Sequence, residues 1–213
     1  MSGPIRPSIA DVLTCLRTLK SQLPPCKVWF STWETDVSLD EIRKEVDVLI
    51  VKPEPTAVPD ALTREAGYFP GPCKGYNVRI FKMFCGIENI FASATCKNSD
   101  IVIRIRSDVM VKFDGDHLKE MLEAAKNGYV VRQRKTSMCA FDDWFGISTF
   151  ANMKNVWCFG SMREFEKHMN ASWNAEKMVK RKVQQHGIPI IGLDESRIDF
   201  YTLREGGEHV RWD

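Results

Sequence analysis

Apolar residues recur at Ile9, Val12, Leu13, Leu16 and Leu19, a spacing that puts them on one face of a helix from Ser8 to Leu23. Ser8 suits its N-cap and Pro24-Pro25 its stop. Lys27 to Thr32 is a short aromatic and β-branched run, and Val46 to Lys52 a nearly continuous apolar one, so both read as buried strands. Between them, Ser38 followed three residues later by Glu41 has the capping-box pattern of a short helix ending near Glu45. The chain thus opens with a helix and a β-α-β unit.

Residues 53–75 interrupt the periodicity with Pro53, Pro55, Pro59, Pro70, Pro72, Gly67, Gly71 and Gly75. A connection of that length is disordered or functional, and here the expectation is a segment that is mobile alone and ordered by a ligand. Helical spacing returns over Tyr76 to Cys96 (Ile80, Phe84, Ile87, Phe91), and Ile101 to Ile105 then alternates as a strand. Asp116 to Asn127 carries Leu118, Met121, Leu122 and Ala125 at helical spacing, with Gly128 as its expected left-handed cap and a strand over Tyr129 to Gln133 after it. Aromatics are dense from Phe141 to Phe159. Helices are expected at Ser161 to Met169 and Asn174 to His186, and one or two strands with an extended tail over Ile188 to Asp213. The order predicts an α/β fold, an open, mixed but mostly parallel sheet flanked by helices, whose ligands bind beyond the carboxyl ends of its strands.

Composition narrows the function. The 213 residues are 44% hydrophobic and 27% charged, which is ordinary for one folded domain and unlike a disordered or fibrous chain. Thirty Lys and Arg against 28 Asp and Glu leave a net charge of +2, with the bases spread among the acids, so nucleic acid is not an expected partner. No apolar stretch approaches the ~20 residues of a membrane span, and the N-terminus lacks the apolar core of a secretory signal. Seven cysteines without a C-x-x-C pair point to a reducing, cytoplasmic setting.

Candidate chemistry gathers at strand ends. Alternation puts Ile101, Ile103 and Ile105 on one face and leaves Arg104 and Arg106 on the other, where a phosphate would repay the desolvation of two guanidiniums. Asp108 closes that strand and could ligate a divalent cation bridging pyrophosphate oxygens. The plainer alternative pairs the arginines with acids on a neighbouring helix and gives Asp108 to a turn. Asp114-Gly115-Asp116 spells D-x-D but directly precedes a helix, where capping is the stronger expectation. At the end of the first strand, Trp29 to Trp33 could cradle a nucleotide base by stacking and through the Ser31 and Thr32 hydroxyls. The alternative buries Trp29 and Phe30 and leaves only Trp33 exposed. Asn77 and Arg79, at the start of the helix after the Pro/Gly connection, could face an anion. Asp142 and Asp143, set among aromatics, suit a general base or a positioner of sugar hydroxyls, though paired acids in a turn are common. The four histidines show no H-x-x-x-H spacing, and His209, beside two glycines, could fold over a metal or phosphate or simply face solvent. Arg132 to Lys135 reads as a solvated strand end.

Taken together, Phe30-Ser-Thr-Trp33, Asn77-x-Arg79, Val102-Ile-Arg-Ile-Arg-Ser-Asp108 and Asp143-Trp-Phe-x-Ile resemble the WavE-like glycosyltransferases, nearest to the chlorovirus domains of that kind that help build capsid glycans. The resemblance covers roughly residues 27–160. It implies a GT-A-like fold, a UDP-sugar donor such as UDP-glucose or UDP-rhamnose, a glycan acceptor, and Mn²⁺ or Mg²⁺. It would make about 1–135 the nucleotide-binding part of a single domain and about 136–213 the acceptor part and tail, with room for further domains in a longer chain. Ser31, Thr32, Trp33, Asn77, Arg79, Arg104 and Arg106 would then hold the nucleotide-sugar, Asp108 and His209 the metal, and Asp142 or Asp143 the catalytic carboxylate. For a viral enzyme the compartment would be the host cytoplasm. Arg106 stands where the strict D-x-D has its first acid. A nucleotidyltransferase would share this sheet but normally has a Gly-rich loop after the first strand, and Ser31 to Asp36 has no glycine. A non-catalytic glycan-binding module would use the aromatics near Trp144 and Trp157 and need neither nucleotide nor metal.

Overall fold

In helix α1 (Ile9–Gln22) the Ser8 hydroxyl accepts the Asp11 amide at 3.2 Å, and Val12, Cys15, Leu16 and Leu19 turn inward, as their spacing predicts. The computed structural model describes residue 1 and residues 8–36, 38–56, 76–132, 141–172, 174–203 and 209–211. Strands β1 (Trp29–Trp33) and β2 (Val48–Lys52) pair in parallel, Phe30 opposite Leu49, with α2 (Leu39–Glu45) between them in sequence. The capping box expected at Ser38 does not form. Its φ is 63°, in the left-handed region, and its side chain makes no cap, because an N-cap hydroxyl reaches the first-turn amides from extended backbone. Of the connection over 53–75, residues 57–75 lie outside those described, and with them the expectation about its ordering.

Helix α3 (Tyr76–Ser93) leads to β3 (Ile101–Ile105), and a turn through Arg106, Ser107 and Asp108 starts β4 (Val109–Phe113). Helix α4 (Gly115–Ala124) and β5 (Tyr129–Val131) come next, then β6 (Phe145–Thr149) and helices α5 (Phe150–Trp157), α6 (Met162–Ser172) and α7 (Ala175–Gln185). Strands β7 (Ile190–Gly192), β8 (Ile198–Leu203) and β9 (His209–Arg211) complete the described chain. The strand order is β3-β6-β5-β7 in one sheet and β4-β8-β9 in another, beside the β1-β2 pair.

The α/β class is the expected one, with a mixed sheet, but its strand directions differ from the mostly parallel expectation. Among the described residues two strand pairs are parallel (β1-β2, β5-β7) and four antiparallel. The cause lies in the return after β5. The Asp142 amide donates to the Arg132 carbonyl at 3.2 Å, so the chain re-enters at the end where β5 leaves, and β6 must run back between β3 and β5. A parallel neighbour would need a crossover to the far end.

Each face of this sheet has its own core. Ile101, Ile103 and Ile105 join Leu16, Phe30, Leu118 and Phe145 on the α1 and α4 side, whereas Val102 packs with Phe84, Tyr129, Trp157 and Met178 under α3, α5 and α7. Gly128 is not the left-handed cap expected of it, since among the described residues the positive-φ glycines are Gly160 and Gly187. A Cβ at Gly128 would stand 2.6 Å from the Pro189 carbonyl oxygen, so its service is close approach of β5 to β7. An apolar cavity of about 720 Å³ separates the edges of β1 and β3, walled by Trp29, Phe91, Ile103 and Leu122. Among the described residues no helix is long and apolar enough to cross a membrane, and Cys15, Cys26, Cys85, Cys96 and Cys158 are free thiols.

Candidate active site

The antiparallel entry of β6 decides where polar side chains meet. The carboxyl ends of β3 and β5 and the start of β6 fall at one end of the sheet, tied by Arg106 N–H to the Trp144 carbonyl at 3.1 Å and Asp142 N–H to the Arg132 carbonyl at 3.2 Å. That end gathers Arg104, Arg106, Asp108, Arg132, Asp142 and Asp143. The sequence pointed to five of the six. Arg132, expected on a solvated strand end, is instead 2% exposed, its guanidinium 5.1 Å from the Phe200 ring. The buried triplet Tyr129-Val130-Val131 before it is the signal that could have shown this.

Arg104 sits on the face opposite Ile103 and Ile105, as alternation predicts, but no acid on a neighbouring helix receives it. It is 5% exposed, and none of its three guanidinium nitrogens has a hydrogen-bond partner. Its charge lies 4.3 Å from the centre of the Trp157 ring, whose Nε1–H donates to the Tyr129 hydroxyl at 3.1 Å. Gly146, opposite Arg104 on β6, makes room for that tyrosine, since a Cβ there would stand 2.7 Å from Tyr129 Cζ. Burial lowers the Arg104 guanidinium to about 10, while the Asp143 charge works the other way. The sequence reading gave Trp157 only to the glycan-binding alternative and Tyr129 only to a strand, because an aromatic on a helix or buried strand looks like any core residue.

Arg106 is engaged differently. Its Nε and Nη2 donate to the two oxygens of Asp108 at 2.8 and 2.5 Å, and its guanidinium lies 5.2 Å from the Trp144 ring. Burial works against its charge, but the bond to Asp108 and the charges of Asp108, Asp143 and Asp142 prevail and raise its pKa. The Trp144 amide donates to Asp142 Oδ1 at 2.9 Å. Asp142 and Asp143 are 2% and 6% exposed.

The remaining expected residues divide. Ser31, Thr32 and Trp33 are all buried, Trp33 at 4% exposure, and Trp29 is the half-buried one, so the expectation of a single exposed Trp33 is reversed. Thr32 Oγ1 donates to Asp36 Oδ2, and the Trp33 amide reaches the same oxygen at 3.3 Å, closing the turn after β1. Ser31 Oγ is buried without a hydrogen bond. Arg79 is exposed on the first turn of α3, and the Asn77 side chain lies outside the described residues. The His209 side chain lies outside them too, but its backbone is placed. It pairs with Leu203, next to the row Val109–Thr202–Val210, roughly 10 Å across two strand spacings from where Asp108 enters β4. The rival D-x-D serves the helix: Asp114 Oδ1 accepts the Asp116 amide at 3.2 Å and Oδ2 the Arg197 Nε at 3.3 Å, while Asp116 lies 3.5 Å from Lys119.

Among the described residues no three His, Cys, Asp or Glu side chains converge as a cation site, and both Asp108 oxygens are taken by Arg106. The described donors therefore do not fit a resident divalent ion. Their chemistry is that of a buried cationic floor with two carboxylates beside it, able to hold an anion and to accept a proton from a hydroxyl.

No family model and no curated protein matches the chain. Among solved structures it is similar to the crystal structure of 4-diphosphocytidyl-2C-methyl-D-erythritol synthase, over 86% of this chain and 80% of that one, at 10% identity and a TM-score of 0.46. That likeness is too distant to carry a role across.

Proposed function

We propose that the chain is a glycosyltransferase that moves a hexose or deoxyhexose from a UDP-sugar to a hydroxyl of a glycan, in viral capsid or surface glycan synthesis. The observation that carries this reading is Arg104, a buried guanidinium with three unpaired nitrogens at the carboxyl ends of β3 and β5. A buried unmet donor set is costly, and a diphosphate offers the acceptors it lacks. The resemblance of Val102 to Asp108 and of Asp143 to Ile147 to the WavE-like enzymes points the same way.

In this reading Arg104 and Arg106 hold the diphosphate, with Ser31 and Thr32 toward the nucleoside and Arg79 at the rim. Asp143 or Asp142 accepts the proton of the acceptor hydroxyl as its oxygen bonds to the anomeric carbon. The bond from that carbon to the phosphate oxygen breaks with its electron pair left on that oxygen, and the two guanidiniums neutralise the charge of the departing UDP. The described donors do not by themselves hold a Mn²⁺ or Mg²⁺ ion, so in this reading the two guanidiniums carry the neutralisation of the departing diphosphate.

The experiment incubates the protein with UDP-, GDP- and CMP-sugars and glycan acceptors and follows nucleotide release and glycan mass. UDP-sugar turnover with a hexose-sized mass gain on the acceptor is expected. Pyrophosphate release from a nucleoside triphosphate and a sugar phosphate would replace this reading with nucleotidyl transfer, and glycan binding without nucleotide would replace it with a lectin-like role.

A further inference from the structure

Tyr129 brings a second buried donor to Arg104. It stands on β5, fully buried, with its ring against Phe141, the centroids 5.8 Å apart. Its hydroxyl end leans over Gly146, the residue opposite Arg104 on β6, where any Cβ would crowd it. There the oxygen accepts the Trp157 Nε1–H at 3.1 Å, and among the described residues the hydroxyl hydrogen has no acceptor. The Trp157 ring faces the Arg104 guanidinium at 4.3 Å, so one indole backs both groups. Burial raises the Tyr129 phenol above its ordinary 10, and the opposing pull of the Arg104 charge does not prevail, so the hydroxyl keeps its hydrogen. The charges of Asp142 and Asp143 act on it as well, which sets it among the polar groups of this end of the sheet.

We infer that the Tyr129 hydroxyl and the Arg104 guanidinium together hold one phosphate-type oxyanion, the hydroxyl donating to one of its oxygens and the guanidinium to another. With its oxygen engaged by the indole, the hydroxyl is held in place and has a single hydrogen left to give. A neutral sugar hydroxyl would meet Tyr129 and leave the Arg104 charge unanswered, whereas an oxyanion satisfies both. Hydrogen bonds to a charged acceptor are also the stronger kind. The anion approaches beside Arg106 and Asp108, whose side chains are 28% and 26% exposed. The inference rests on the proposed function for the identity of the anion, and it adds Tyr129 to the residues that touch it.

The test uses inorganic pyrophosphate, without nucleoside, sugar or metal, with affinity read by isothermal titration calorimetry. Wild type should bind it. Tyr129→Phe keeps the ring against Phe141 and loses only the hydroxyl, and should bind at least about tenfold more weakly. Phe141→Leu loosens the packing of the same ring but keeps the hydroxyl, and should stay within about threefold of wild type. A smaller loss in Tyr129→Phe overturns the inference, as does an equal loss in Phe141→Leu, which would make Tyr129 a packing residue. Absence of pyrophosphate binding by folded wild type overturns it too. Should Tyr129→Phe fail to fold by circular dichroism, wild type carrying 3-fluorotyrosine decides: the Tyr129 fluorine resonance should move on addition of pyrophosphate, and a stationary one overturns the inference. None of these outcomes depends on UDP or on a glycan, so a failed transfer assay leaves this result standing and the reverse.

Discussion

At the scale of single residues, Arg104 separates function from stability. Arg104→Met keeps an unbranched side chain against Trp157 and removes the charge. The lost attraction to Trp157 and Asp143 is offset by relief from burying three unpaired nitrogens, so stability should change by less than about 1 kcal/mol, a few degrees in Tm. The thermal shift given by UDP should vanish. A variant that melts far below wild type, or one that keeps the UDP shift, would make Arg104 a framework residue. The two acid motifs are separated in the same way. Asp108→Asn should fold and lose sugar transfer at least tenfold, whereas Asp114→Asn, which keeps a capping oxygen, should cost at most about 1 kcal/mol and leave transfer intact. Residue chemistry was legible where it depended on local pattern: Arg104 opposite the isoleucines by alternation, Asp114 as a cap before a helix. It was not legible where a partner distant in sequence decided it, as for Arg132 beside Phe200 or Trp33 under the turn at Asp36.

At the scale of elements, strands and helices were readable one at a time and their pairings were not. Ile101 to Ile105 announces a strand, but nothing in it says that β6, some forty residues on, runs back against it. Strand β4 escaped notice because Val109 to Phe113 begins only three residues after β3, across a turn with no Gly or Pro to mark it. Gly128 shows how an element contact overrides a local rule. Helical context predicts a left-handed cap, while the β5-β7 pairing requires a residue without a Cβ, since the Tyr129 amide donates to the Pro189 carbonyl at 2.7 Å next door. Gly128→Ala should therefore destabilise the fold by about 1–3 kcal/mol in urea unfolding. Gly115→Ala is the matched control. A Cβ there meets nothing within 4 Å, and alanine gains up to about 1 kcal/mol at a helical position. Equal midpoints for the two variants would show that β5 and β7 separate at little cost.

At the scale of the whole molecule, the two-sided sheet leaves a titratable group within the α-helical side, and stability should carry its mark. His168 on α6 is buried, edge-on to Phe159 at 5.2 Å, with Nδ1 unpaired. Burial lowers its pKa below the ordinary 6.5, and the Lys182 and Arg181 charges add to the effect. Glu164, on the same helix, pulls the other way but does not prevail. In the unfolded chain His168 takes up its proton near pH 6.5, while in the folded one it stays neutral to lower pH. The unfolded state therefore binds more protons as pH falls through 6.5, and stability is lost over that interval, with a slope of at most about 1.4 kcal/mol per pH unit from this residue. His186, shifted the same way by burial and Lys182, adds to the same limb. Urea unfolding free energies measured from pH 7.5 down to 5 should decline for wild type, and His168→Gln, which cannot titrate, should decline less steeply. Parallel curves for the two proteins would place the proton uptake elsewhere and leave His168 as a packing residue only.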